Sequence, residues 1–145
     1  MLRAIRRAFS AAPEESHFPA DQVRLAVAVL LHEARRADYA EGTRESAAAA
    51  RALAEIFGLE EGESAALLAQ GRERAQQLTS LYAPLATVKR AFSLEERTRL
   101  VEQLWRVAFA EGGLDPYEDH YVRKVAHLLY VPNTQNMLAR NRARG

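Results

Sequence analysis

Residues Leu104–Leu129 read LWRVAFAEGGLDPYEDHYVRKVAHLL, and this stretch decides the fold because it holds the end of one helix, a loop and a second helix. Val101, Leu104, Trp105 and Ala108 recur three and four residues apart, which places apolar side chains on one face of a helix. Gly112-Gly113 are expected to end it. Asp115, Pro116 and Glu118 then suit the N-cap, N1 and N3 positions of a new helix: the aspartate accepts from a free backbone N–H, the proline is preset for the first turn, and the glutamate reaches back to the cap. Val122, Val125 and Leu129 form the buried stripe of that helix, and Pro132 ends it.

Moving back by 73 residues, Leu31–Ile56 reads LHEARRADYAEGTRESAAAARALAEI and lies over the first stretch without a gap. Leu31 meets Leu104, Ala34 meets Val107, Asp38 meets Glu111, Glu45 meets Glu118 and Ile56 meets Leu129. Each unit keeps one acid where its first helix ends and another in the first turn of its second, so the sequence reads as two related acidic helix-loop-helix units.

The remaining segments are also helical in pattern. A helix starts near Asp21 as N-cap and presents Val23, Val27, Leu30, Leu31 and Ala34. After a loop at 39–42, Thr43 is expected to cap a helix carrying Ala50, Leu53, Ile56 and Phe57, closed by Gly58. A long helix is expected from Glu60 to Tyr82, with its acids at the positive end, followed by a short connector begun at Pro84. Ser93 and Glu96 match the capping box S-x-x-E. Residues 2–11 suit a short basic helix, the prolines at 13 and 19 break it, and a polar helix with a basic tail fills 132–145. With few β-branched residues and no alternating segment, the fold class is all-α: one compact bundle of seven or eight helices in a single domain of 145 residues, its core at about 20–131.

Composition narrows the function. The 48% hydrophobic and 27% charged content belongs to a globular chain. With no cysteine, thiol nucleophiles, disulfides, zinc ribbons and iron–sulfur clusters drop out, and a reducing cytoplasmic setting is expected. The opening MLRAIRRAFSAAPEES lacks the apolar run of a signal peptide, and Leu25–Leu31 is far short of a membrane span. The net charge of +1 hides an arrangement: Arg3, Arg6, Arg7, Arg140, Arg142 and Arg144 flank a middle, 13–131, that carries 14 positive and 19 negative charges, a net −5. An acidic body favours cations and makes nucleic acid an unexpected partner. No nucleophile motif or phosphate loop is present, so no catalytic residue is assigned and the chain reads as a non-enzyme. His120 and His127 stand seven residues apart, about 10 Å along a helix, too far to share an ion.

The motifs A-R-R-A-D at Ala34–Asp38, with an acid seven positions on at Glu45, and A-F-A-E-G-G-L-D-P-Y-E-D-H at Ala108–His120 resemble the TerB-like family associated with tellurite resistance. The second follows the family pattern A-x-A-D-G-x-L-D-x-x-E-x-x-x-I/V from Ala108 to Val122, with glutamate for aspartate at 111, and the resemblance spans about residues 22–131. It implies a compact helical domain with an acidic, metal-binding face and a role in a stress or metal-resistance response. Tyr39, Gly42 and Arg106 depart from a symmetric repeat, which makes the first loop the weaker one and centres a site on Glu111–Glu118.

Two readings of the acids follow. In the first, Glu33, Asp38, Glu45, Glu111, Asp115 and Glu118 line a pocket for a hard divalent cation, calcium or magnesium, or meet a protein partner; oxygen donors suit those ions, although neither loop has EF-hand spacing. In the second, the acids are helix caps and the protein is a scaffold that docks a protein partner or, through Leu2, Ile5 and Phe9, a membrane surface.

Overall fold

The computed structural model describes residues 20–35, 44–110 and 112–145. Among them are seven helices and no strand: α1 (Ala20–Glu33), α2 (Arg44–Phe57), α3 (Glu61–Gln77), α4 (Tyr82–Ala91), α5 (Leu94–Ala108), α6 (Pro116–Leu128) and α7 (Asn133–Arg144). The expected all-α bundle is therefore present. The short helix expected at 2–11 lies outside the described residues, as do the loop at 39–42 and the cap at Thr43.

Two helices form the interior, and each opens one unit of the repeat. In α1 every residue from Ala26 to Leu31 is buried, and in α5 almost every residue from Leu100 to Ala108. A helix buried around most of its girth must be enclosed by others. Accordingly α1 is covered by α2, α3, α4 and α5, while α5 is covered by α2, α6 and α7. Contact between α1 and α3 is close: a Cβ added at Gly71 would lie 2.7 Å from Ala28 Cβ and 2.8 Å from its carbonyl carbon. Glycine is what lets the two backbones meet. On the other side, Trp105 is fully buried and its indole N–H donates to Asn136 Oδ1 at 2.8 Å, tying α5 to α7. Burying the indole with its donor satisfied makes it a large anchor for that half.

Several boundaries differ from the sequence reading. The long helix stops at Gln77 rather than Tyr82, and Leu78 is extended. Ser80 Oγ instead accepts from Tyr82 N–H at 3.3 Å and starts α4, whose first turn contains Pro84. A continuous helix would set the proline ring against the Ser80 carbonyl, so the break is imposed from below. Asp21 lies inside the first turn of α1 rather than before it. Helix α5 closes at Ala108, with Gly112 at φ 96° in the loop after it. The final segment, expected as a polar helix with a basic tail, contributes Asn136 and Ala139 to the interior. Its arginines are engaged: Arg142 binds Glu102, and Arg140 lies over the Trp105 ring with Asp119 3.9 Å away.

Candidate functional site

The start of α6 is built as its sequence dictates. Asp115 Oδ1 accepts from Glu118 N–H at 2.8 Å, and Glu118 Oε1 accepts from Asp115 N–H at 3.3 Å. This reciprocal cap turns the Glu118 carboxyl back into the bundle, where it is 0% exposed. In the first turn of α2, Glu45 is also 0% exposed, and its carboxyl lies within hydrogen-bonding reach of that of Glu118. The two glutamates that sit at matching positions in the repeat thus meet face to face, although 73 residues separate them in the chain.

Two carboxyl groups have no hydrogen between them unless one is protonated. Burial, and after it the carboxyl of Glu45, push the Glu118 carboxyl up to about 8 against the pull of the Asp115 backbone N–H. At neutral pH the pair therefore holds one proton, as close carboxylates commonly do. The second Glu118 oxygen, Oε2, is buried and accepts no N–H or O–H bond from the described residues.

Around the pair lie residues from α1 and α6. Glu33, near the end of α1, is half-buried, and burial raises its carboxyl, an effect that Arg35 opposes. The Tyr117 hydroxyl is raised by burial and then by the charges of Glu33 and Asp115, so both acids lie near it. Tyr121 is buried, and its hydroxyl donates to the Leu30 carbonyl at 2.8 Å. That carbonyl is in the last turn of α1, where Ala34 N–H goes to Leu31 at 3.3 Å instead, so the phenol caps α1 from across the molecule.

Sequence reasoning missed Arg35. It is buried, donates to Ser46 Oγ at 2.9 Å, and lies between the charges of Glu33 and Glu45. Burial lowers its guanidinium, as does nearby Arg72. A buried arginine needs a carboxylate neighbour, which was the available signal: the run at 33–36 holds one acid and two arginines at a helix end. His32 is a structural histidine, half-buried and driven down to about 4 by burial and then by Arg35 and Arg72.

Of the six acids expected to act together, the structure joins Glu45, Asp115 and Glu118 and sets Glu33 beside them; Asp38 and Glu111 lie outside the described residues. Among the described residues no group of three or more acids or histidines is placed to share one ion. The contact between units lies at Glu45 and Glu118, whereas the sequence had centred the site within the second unit.

The family model described as "Tellurite resistance protein TerB" matches residues 24–141. No curated protein and no solved structure matches the chain.

Proposed function

Because the chain belongs to the TerB family, matched from α1 well into α7, we propose that it is a non-catalytic binding module whose Glu45–Glu118 pair takes up a divalent cation. The observation that carries this reading is the pair itself: two repeat-related glutamates are buried against one another, and Glu118 Oε2 has no protein donor. A buried carboxyl oxygen that no backbone or side-chain N–H reaches is costly to ionise, and a cation in place of the shared proton would let both carboxylates ionise. Two hard oxygen donors with water suit magnesium, and calcium if backbone carbonyls add to them. Arg35 would hold Glu45 and Glu33 in place from the other side. The family's name supports a role in tellurite or metal stress.

A second reading has its own observation. The Asp115–Glu118 cap is geometrically complete and Arg35 already supplies a positive charge, so the acids can serve as internal supports of a scaffold that docks a protein partner. Calorimetry and thermal unfolding with magnesium, calcium, manganese and zinc, on the wild type and on Glu45→Gln and Glu118→Gln, separate the two. The cation reading expects stabilisation that grows with ion concentration and is lost in both variants. Stability unmoved by any of the four ions at millimolar concentration leaves the scaffold.

A further inference from the structure

Apart from the acid pair, we infer that a hollow between α2 and α5 is a binding site for a small anionic molecule carrying a phosphate or carboxylate group. The hollow measures about 370 Å³, within the range of small-ligand sites. It exists because the α2 residues facing α5 are alanines: the run SAAAARA at 46–52 sends Ala47, Ala48 and Ala52 to this wall, and three methyl groups do not fill the space that larger side chains would.

The rim is cationic. Arg44 and Arg51 stand seven residues apart on α2, two turns along one face, and Arg106 comes from α5, so three guanidinium groups line the hollow together with the carboxylate of Glu55. Glu55 does not turn to Arg51, its i−4 neighbour. It accepts from Gln103 at 2.9 Å and faces Arg106 at 3.8 Å. Arg106 is further fixed by Glu102 at 2.9 Å, so that guanidinium is held in position before any ligand arrives. Arg51 is exposed and has no carboxylate partner among the described residues. A planar guanidinium offers paired N–H donors that match the oxygens of phosphate and carboxylate. The alanine floor supplies apolar contact for the body of such a molecule. None of these residues belongs to the acid pair, so this site stands or falls independently of cation binding.

The test is a titration of isotope-labelled protein with inorganic phosphate, sulfate and citrate at low ionic strength, followed by NMR and repeated on Arg51→Gln and Arg90→Gln. Arg90 is an exposed arginine on α4, and Arg51 is exposed as well, so both variants keep the fold. Saturable shifts at the amides of α2 and the end of α5 are expected, with binding weakened about tenfold in Arg51→Gln and unchanged in Arg90→Gln. The tighter of phosphate and citrate identifies the ligand group. Absence of saturable shifts overturns the site, and so does equal weakening in the two variants, which would mean general screening of charge.

Discussion

The two units of the repeat share a pattern and are held together by different means. The second, α5 with α6, is closed by neighbours in sequence: Ser93 with Glu96 starts α5 and Asp115 with Glu118 starts α6. In the first, α1 with α2, Arg35 bonds Ser46 and Tyr121 reaches across to Leu30. Their central residues differ too. At the matched positions 32 and 105 stand a half-buried histidine and a fully buried tryptophan. The two units thus share the helices and the facing glutamates while their central residues differ, so the pattern of apolar stripes is a weaker constraint on detail than the packing that completes each unit.

That difference can be broken most severely at its largest anchor. Trp105→Ala should lower the unfolding free energy by about 3–5 kcal/mol, since it opens a cavity and leaves Asn136 without its donor, whereas His32→Ala at the matched position should cost less than half as much. Denaturant unfolding of the two variants checks the ratio.

The units can next be set against each other by pH. The Glu118 carboxyl is raised in the folded state from its ordinary 4.5 to about 8, so the native protein holds a proton that the unfolded chain has lost. Its contribution to stability is complete below the ordinary value and disappears as pH rises through about 8. His32 is lowered from 6.5 to about 4, so its contribution is present above 6.5 and is lost as pH falls toward 4. The two slopes oppose one another between about 4.5 and 6.5, and from 6.5 to 8 the Glu118 slope stands alone. Stability should therefore fall over that upper interval in the wild type and stay level in Glu118→Gln; an equal fall in both would break the assignment.

Each unit is also covered by a third helix, α3 over α1 and α7 over α5, and the first of these contacts depends on one missing methyl. Gly71→Ala should cost about 1–3 kcal/mol through overpacking against Ala28, more than the roughly 1 kcal/mol that alanine contributes to helix propensity. A thermal melt that rises on this substitution would mean that α3 can draw back.

The smallest effects lie where the second helix of each unit ends. Both ends use a left-handed residue, Gly58 at φ 67° in the first unit and Tyr130 at φ 57° in the second. The chain then closes in the same way, Leu59 N–H to Ala54 and Val131 N–H to Ala126. Gly58→Ala should cost about 1 kcal/mol. Tyr130→Gly should gain at most about that much, because it relieves the backbone but removes the ring under Lys89, whose ammonium lies 4.5 Å from the ring centre.

Much of this was legible because it is local. The cap at Asp115–Glu118, the box at Ser93–Glu96 and the closing glycine at 58 each depend on residues within four positions, so a sequence states them directly. The helix break after Gln77 was less legible: Thr79 and Ser80 interrupt a pattern whose apolar spacing continues to Leu81, and the proline that forbids continuation stands several residues on. At the candidate site, Glu118 was readable as a capping glutamate, but nothing near it in the chain tells that its carboxyl meets that of Glu45.

The sequence by itself determined seven described helices, most of their ends, membership of a duplicated pattern and the acid in the first turn of each unit's second helix, since period and cap chemistry act over a few residues. Only the tertiary structure decided that those two acids share a buried space, that Arg35 comes near Glu45, and that the alanine face of α2 is left open beside three arginines. Burial and charge pairing depend on which helices come together, and that is settled by packing across the whole bundle.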